Sequence, residues 1–342
     1  MKKVLTLILL ISVCYNCSKN ETIIDDEVLP VQLTTLNMDS KAYLSPDGKN
    51  IVFYSKRNTY NPNTAGIEYE IWAMERDGSN QRLLFGINDI DEGSDIVFLK
   101  WSAQSDYITL FTKNYGRSSI WEVYLEGEKT KTHSFGFRIE KAIFSPDGEK
   151  IAFVNWESNK FYSANSNDLS DITLIDTGFV FDFDWVYDSE TLVYSKFDPT
   201  IENYDLWQAK TDGTYKRKLM ETPGNEYDVV CSKLNYQIAY EEQNDVYVTP
   251  IDVFVPKKIE ENAGVRQWVN NKDLLLLSKD QGSENHYWSE SWIVAPEGNV
   301  IRRIEEGNYS QVEFSNDGDY YLFTVFDSEP ERGGNIWLDR LP

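Results

Sequence analysis

The feature that most restricts the fold is a tight-turn motif that recurs along the chain. Residues 44–53 read Leu-Ser-Pro-Asp-Gly-Lys-Asn-Ile-Val-Phe, and residues 144–153 and 314–323 repeat this pattern closely. Degenerate copies begin at Trp101 and Trp185. In the clearest copies Pro fixes its own φ, Asp bonds the nearby backbone, and Gly accepts a positive φ. The motif therefore predicts two strands joined by a tight turn.

An aromatic residue follows each turn motif and marks a third strand. Several of these residues lead into a second turn, as at residues 77–79, and then into a fourth strand. The aromatic residues are Trp72, Trp121, Tyr162, Trp207, Tyr247, Trp292 and Trp337. Four short strands that recur about every 40 residues are typical of propeller blades, whose cores such side chains would fill. The sequence predicts an all-β fold, a β-propeller of four-stranded antiparallel blades, with seven blades or, given one irregular insertion, six.

The two ends of the repeat region predict how the ring closes. The last unit stops at residues 341–342, just after its third strand, and residues 31–36 form an unpaired strand candidate before the first unit. We expect this N-terminal strand to complete the last blade, which removes sheet edges that would otherwise invite aggregation.

These motifs resemble the TolB-type, WD-like propeller repeat. The matching residues are Ser-Pro-Asp-Gly-Lys-x-Ile-x-Phe from Ser45 and Ile-Trp-x-Met-x-x-Asp-Gly-Ser from Ile71. The same repeat occurs in oligogalacturonate lyases and in prolyl oligopeptidase-like enzymes. The resemblance covers nearly the whole chain after the N-terminal segment, and it implies a fold more than a function because turns and core residues carry it.

Three departures separate this chain from those families. TolB proteins carry an α/β domain before the propeller, and the residues between Cys17 and the first blade leave no room for one. The peptidases carry a hydrolase domain, yet the sequence contains no Gly-x-Ser-x-Gly motif. The lyases hold a metal with several histidines, whereas this chain has 2 His.

The N-terminal segment resembles an export signal with a lipid anchor. Lys2 and Lys3 precede an apolar stretch, residues 4–13, that is too short to span a bilayer. Cys17 follows, and the Ser-Lys-Asn-Glu after it resembles exported lipoproteins of the Bacteroidota; Cys14 is the alternative site of lipidation. We predict a signal peptide (1–16), a lipidated Cys with a tether (17–28), and a single propeller domain (29–342), held in the cell envelope on the periplasmic side or the outer-membrane surface.

The charge balance narrows the class of partner. The formal net charge is -23, from 33 Lys and Arg against 56 Asp and Glu. Such a field repels phosphate backbones, so nucleic acid is not an expected partner. We expect contact with the membrane through the lipid anchor only, and a protein or a glycan as ligand.

The long connections between second and third strands are the predicted ligand site. In a propeller these connections lie on one face, and long, dissimilar loops on a rigid scaffold commonly carry binding residues. Their aromatic, amide and charged side chains would suit stacking on sugar rings or anchoring a protein. An alternative is that the aromatic side chains simply pack against neighbouring blades. The candidate residues are Arg57, Tyr60, Tyr69, Asp198, Tyr204, His286, Tyr287, Trp288, Glu331 and Arg332.

No cofactor is expected, although a Ca²⁺ ion in the channel remains an alternative. Carboxylates near the predicted starts of the first strands would line that channel, and Ca²⁺ prefers oxygen ligands. Solvated or turn-capping acids are the other interpretation. These acids are Asp39, Asp95, Glu140, Asp182, Asp184 and Asp228.

Two functions follow from these patterns. The sequence contains no P-loop, dinucleotide-binding glycine motif, His-Glu-x-x-His or nucleophile elbow, which favours a non-catalytic binding or scaffold module. Its ligand would be a glycan, a peptide or an envelope protein at the long-loop face. The alternative is a carbohydrate-active enzyme, a polysaccharide lyase or hydrolase with its site at the channel mouth.

Overall fold

A computed structural model describes residues 29–60, 69–91, 93–220, 222, 224–280, 289–304, 311–326 and 333–342. Within these residues the regular structure is β, apart from a 3-10 turn at Ile87–Asp89. In the same part of the chain no helix has the length and apolar character needed to cross a membrane.

The strands are short and follow one another closely along the chain. In chain order they are β1 (Val31–Gln32), β2 (Asp39–Leu44), β3 (Asn50–Ser55), β4 (Glu70–Glu75), β5 (Arg82–Phe85), β6 (Asp95–Trp101), β7 (Tyr107–Lys113), β8 (Ser118–Tyr124), β9 (Lys129–Phe135), β10 (Ile139–Phe144), β11 (Lys150–Asn155), β12 (Lys160–Asn165), β13 (Thr173–Thr177), β14 (Val180–Trp185), β15 (Thr191–Asp198), β16 (Asn203–Lys210), β17 (Arg217–Lys218), β18 (Glu226–Cys231), β19 (Gln237–Glu242), β20 (Asp245–Pro250), β21 (Lys257–Glu260), β22 (Ala263–Trp268), β23 (Leu275–Asp280), β24 (Ser289–Val294), β25 (Val300–Ile304), β26 (Val312–Phe314), β27 (Tyr320–Phe326) and β28 (Gly334–Arg340).

The fold is an all-β propeller with four-stranded antiparallel blades. Five separate sheets each contain four strands in chain order: β6–β9, β10–β13, β14–β17, β18–β21 and β22–β25. The remaining strands form one eight-stranded sheet in the order β26-β27-β28-β2-β3-β4-β5, with β1 paired to β28.

The blade count differs from the prediction. The structure has five separate four-stranded blades, not seven and not six, because eight strands belong to one larger sheet. The physical cause is a single residue pair, Asp39 with Gly334, that joins β2 to β28. On either side of that pair, β2–β5 and the group β26, β27, β28 and β1 each keep the order of a four-stranded unit.

The N-terminal segment pairs with the end of the chain. Val31 and Gln32 pair antiparallel with Leu338 and Trp337. Beyond this short strand, the Leu33 N–H donates to the Ile336 carbonyl at 2.8 Å, and the Ile336 N–H donates to the Thr34 hydroxyl at 2.9 Å. Ile336 and Thr34 are 302 residues apart in sequence, so these contacts join the two ends of the propeller domain.

The recurring turn motif closes itself by hydrogen bonding. The Ser145 hydroxyl donates to Asp147 at 2.5 Å, and the Glu149 N–H donates to the same carboxylate oxygen at 3.0 Å. Gly148 has a φ of 77°, which side chains other than glycine rarely tolerate. The Asp147 N–H also reaches Ser189 of the next blade at 3.1 Å, so the turn contributes to the contact between blades.

Tryptophans at the ends of first strands tie neighbouring blades together. Their indole N–H groups donate to first-strand carbonyls of the preceding blade: Trp101 to Tyr43 at 3.2 Å, Trp185 to Ile143 at 3.0 Å and Trp268 to Val230 at 3.2 Å. Apolar clusters fill the spaces between sheets; one of them joins Val154 and Phe161 to Trp185 and Tyr194. The first strands are thereby held side by side around the central channel.

The antiparallel order divides the connections between two faces. Turns after first and third strands lie on one side, here called the tight-turn face. Connections after second and fourth strands lie on the other side, here called the long-loop face. First strands begin at the long-loop face and end at the tight-turn face.

Candidate functional site

The first strands are irregular where they line the channel. Six of them contain a register shift, in which an extra residue opposes the second strand. The shifts lie at 40/42, 98/100, 139/142, 180/182, 227/230 and 265/267. A bulge leaves the extra residue unpaired and redirects its side chain, and bulges are frequent next to functional sites.

Charged residues at these bulges line a cavity in the channel wall. The cavity is about 400 Å³ and runs beside β10, β14, β18 and β22. Lys141, Asp182, Asp228 and Arg266 line it, and Lys233 lies where it approaches the tight-turn face. Both signs of charge are therefore present in one concave site.

Most acids predicted at the starts of first strands are paired with the protein's own cations. Three of these pairs, that of Asp184 below included, join neighbouring blades: Lys141 pairs with Asp182, and Lys113 pairs with Glu140 at 2.8 Å. Asp184 accepts from Lys233 at 2.9 Å, and Asp39 is bound at both oxygens by Arg57.

The remaining two acids, Asp95 and Asp228, lie in different surroundings. Asp95 is exposed, and Asp228 lies in the channel cavity close to Glu241 and Arg266. Among the residues that the structure describes, no three His, Cys, Asp or Glu side chains are grouped as metal ligands. Most of the predicted channel acids therefore form ion pairs, and most of these pairs join neighbouring blades.

Several carboxyl groups near the channel are buried strongly enough to hold a proton. Burial raises the pKa of Glu241 to about 7, and the nearby Asp228 charge adds to the rise. Burial also raises the pKa of Glu313 to about 7, and it raises the pKa of Asp182 even though Lys141 opposes the shift. A carboxyl with a pKa near 7 can accept or donate a proton at neutral pH.

An aromatic patch lies on the long-loop face beside this cavity. It consists of Trp156, Phe179, Phe181, Phe197, Tyr204 and Tyr227, from three consecutive blades. Tyr204 is central, with ring centroids 5.6 Å from Phe181, 5.2 Å from Phe197 and 5.1 Å from Tyr227. Trp156 and Phe181 remain 46% and 48% exposed, and with their neighbours they form a contiguous apolar surface, which marks binding sites more often than singly exposed rings do.

A second pocket opens between Trp156 and Phe181. Its volume is about 320 Å³, and Phe179, Val154 and Lys141 also line it. Because Lys141 lines both this pocket and the channel cavity, the two spaces are neighbours. The site therefore combines exposed aromatic rings with an adjoining, strongly polar channel wall.

Of the predicted ligand residues, Tyr204 alone among those described lies in the aromatic patch. Arg57 instead binds Asp39, at 2.6 and 3.0 Å, and lies over the Trp72 ring. Tyr69 packs edge-on against Tyr54 at 5.8 Å. Its ring also lies 4.4 Å from the Lys56 ammonium group.

The other two described candidates lie in local turns. The Tyr60 N–H donates to the Lys56 carbonyl at 2.8 Å. Asp198 accepts from the N–H and hydroxyl of Thr200, at 2.9 and 2.6 Å. His286, Tyr287, Trp288, Glu331, Arg332 and the lipidation site Cys17 lie outside the described residues.

The sequence did not identify the other five members of the patch, which are Trp156, Phe179, Phe181, Phe197 and Tyr227. Trp156 lies in a short connection, whereas long connections were expected to carry the site. Phe179, just before β14, alternates with Phe181 and Phe183 inside it, which places the three on one face if the strand is regular. The bulge between Val180 and Asp182 breaks that rule, because it leaves Phe183 buried and Phe181 exposed. The run of alternating aromatic residues was the available signal.

Comparison with known proteins supports the fold and nothing finer. No family model matches the sequence, and no curated protein matches it. Among solved structures, TolB from Acinetobacter baumannii is similar with a TM-score of 0.52 and 15% identity, over 75% of this chain and 63% of that one. An oligogalacturonate lyase in complex with manganese is similar with a TM-score of 0.64 and 13% identity, over 91% of this chain and 92% of that one. At such identities the likeness concerns the propeller fold alone.

Proposed function

We propose that the protein is a lipid-anchored propeller that binds a glycan, a peptide or an envelope protein at its long-loop face without catalysis. The observation that supports this most directly is the aromatic patch. Large rings left exposed on a rigid scaffold supply contact area at little entropic cost, and they are typical of binding surfaces. The pocket beside Trp156 adds a concave feature of the size that small ligands occupy.

The path of the chain is consistent with an anchored binding module. Val31 pairs with Leu338, near the end of β28 that meets the tight-turn face, and the chain then runs toward the long-loop face. A tether ending at residue 28 would thus join the propeller on the tight-turn side. With Cys17 lipidated, the long-loop face would be turned away from the membrane.

A second function is favoured by the channel cavity. Asp182, Asp228, Arg266 and Lys141 converge there, and Glu241 beside them has a raised pKa. Such a set of acids and cations is what a polysaccharide lyase or hydrolase would need. A carbohydrate-active enzyme at the channel mouth is therefore the alternative, and only turnover of a polysaccharide distinguishes it from binding.

The binding proposal is tested by screening the purified full-length protein against glycans and envelope proteins. Tyr204→Ala, at the centre of the aromatic patch, is expected to weaken any ligand found by about tenfold or more. The matched control is Tyr215→Ala, in the same sheet but at the tight-turn end and 60% exposed. Binding lost in Tyr215→Ala and retained in Tyr204→Ala would place the ligand on the wrong face. Release of shortened polysaccharide chains would instead support the enzyme.

The anchor is tested separately by labelling cells with a radioactive fatty acid. We expect Cys17→Ser to lose the label and Cys14→Ser to keep it. The reverse result would move the lipidation site to Cys14, and label in both variants would contradict the anchor at either position.

A further inference from the structure

We propose that the pocket between Trp156 and Phe181 is a subsite for one residue of a neutral glycan. This inference rests on the proposed function, because it takes the long-loop face as the ligand face. It goes further in assigning the pocket and the class of ligand.

The aromatic walls of the pocket are held in place by the backbone. The Trp156 N–H donates to the Arg138 carbonyl at 3.1 Å, and the Asn155 side chain accepts from the next two backbone N–H groups at 3.0 and 3.2 Å. Trp156 packs edge-on against Phe179 with centroids 5.7 Å apart. The exposed rings are therefore preorganised, so that little entropy is lost when a ligand stacks on them.

The pocket also offers hydrogen bonds that the protein does not use itself. Asn159 lines it with an exposed side chain, and the amide of Asn159 makes no hydrogen bond to a described residue. The indole N–H of Trp156 likewise has no hydrogen-bond acceptor in the described part of the chain. A pyranose ring matches this arrangement, because its C–H face stacks on an aromatic ring while its hydroxyl groups bond at the edge. A purely apolar side chain of a peptide would leave these donors unsatisfied.

The charges at the rim of the pocket are already neutralised. Lys141 is paired with Asp182, and Glu140 is paired with Lys113 at 2.8 Å and Arg138 at 3.0 Å. An acidic sugar or a charged peptide would have to displace one of these pairs. The overall charge of -23 also repels polyanions. A neutral sugar displaces no ion pair and is not repelled by the net charge.

The position of the pocket suggests how a longer glycan would run. Lys141 lines both this pocket and the channel cavity, so a chain seated between Trp156 and Phe181 would extend toward the channel. Further sugar residues would then contact the polar channel wall.

The test is calorimetric titration of the full-length protein with cellohexaose, xylohexaose and mannohexaose, and with hexagalacturonate and a set of random hexapeptides. We expect one neutral oligosaccharide to bind, and Trp156→Ala and Phe181→Ala each to weaken it by about tenfold or more. The matched control is Tyr115→Ala, a 92% exposed ring in a second-to-third strand connection of another blade, which should leave the affinity unchanged. Asn159→Ala should weaken binding by a smaller factor.

The outcomes separate this inference from the proposed function. If Tyr204→Ala abolishes binding of a neutral glycan while Trp156→Ala and Phe181→Ala do not, the long-loop face is right and the subsite is wrong. If only hexagalacturonate or a peptide binds, and Trp156→Ala weakens it, the pocket is right and the ligand class is wrong. If no neutral oligosaccharide binds at millimolar concentration, the inference fails outright.

Discussion

Two carboxyl groups at opposite ends of the propeller, Asp147 at the tight-turn face and Glu226 at the long-loop face, differ in the direction of their pKa shifts. At the tight-turn face, hydrogen bonds from Ser145, Glu149 and Ser189 outweigh the effect of burial and hold the pKa of Asp147 below its usual value. At the long-loop end, burial raises the pKa of Glu226 to about 8, against an opposing hydrogen bond from Thr222. Turn hydrogen bonds favour the ionised form of Asp147, whereas burial favours the protonated form of Glu226.

This difference shows how the repeat is used. Turn acids recur with the motif because the same local geometry satisfies them in each copy. The partners of acids at the long-loop end vary from blade to blade: Asp39 binds Arg57 of its own blade, Asp182 binds Lys141 of the preceding blade, and burial raises the pKa of Glu226. We expect function to reside where the chain departs from its repeat, and three experiments test the contrast.

The largest loss of stability is expected from removing a cation that a buried acid needs. Asp39 is fully buried, and Arg57 binds both its oxygens. Arg57→Met leaves this carboxylate without a partner, so the free energy of unfolding should fall by about 3–5 kcal/mol. Chemical denaturation at pH 7 measures it. Lys258→Met, which removes solvent-accessible pairs with Asp245 and Glu261, should leave the midpoint nearly unchanged. Equal effects of the two variants would mean that burial does not distinguish these acids.

An effect of similar size and opposite sign is expected from Glu226→Gln. The pKa of an unfolded Glu is about 4.3, and in the folded protein it is about 8. Between these values the folded state keeps a proton that the unfolded chain has released, so stability falls as the pH rises through this window. Gln does not ionise, so the variant should match the parent at pH 4 and exceed it at pH 8 by roughly 4–5 kcal/mol.

Denaturation at both pH values measures this difference. The exposed acid Glu190, changed to Gln, serves as the control and should show no such pH dependence. A Glu226→Gln variant that is less stable than the parent at pH 8 would mean that the carboxylate is ionised and needed there.

The smallest effect is expected at the tight-turn face. Asp147→Asn weakens the hydrogen bonds from Ser145 and Glu149, and in this exposed turn the loss should be about 1 kcal/mol at pH 7. Because the folded pKa of Asp147 lies below its unfolded value, the carboxylate's contribution is present above about pH 4 and fades as the pH falls through the folded pKa. The variant and parent should therefore converge near pH 2, as followed by thermal denaturation. If the stabilities of the variant and the parent instead moved further apart as the pH falls, the contrast drawn between Asp147 and Glu226 would be wrong.

The parts of the fold that could be predicted are those fixed by local chemistry. The turn at Ser145 and Asp147 is closed by hydrogen bonds between residues close in sequence, so the sequence predicts the turn and the two strands that it joins. The third-strand aromatics Trp72 and Trp207 lie in β4 and β16 as expected. The segment at Val31 was also placed correctly beside the last strand, because a four-strand repeat that stops after three strands needs a partner.

The candidate site was less predictable, because two non-local effects determine it. Bulges in first strands shift the alternation by one residue, which exposes Phe181. Ion pairs between blades, such as Lys141 with Asp182, join residues about one repeat apart and neutralise acids that looked available to a metal. A third non-local contact, the backbone pairing of Asp39 with Gly334, joined β2 to β28 and altered the count of separate sheets.

The pairing of β1 with β28 has a consequence for biosynthesis. The contact between Val31 and Leu338 cannot form until Leu338 has left the ribosome, long after Val31. Contacts at such large separation are also the slowest to form. The N-terminal segment is made early and waits for the last strand to arrive, so closure of the ring is a late step of folding.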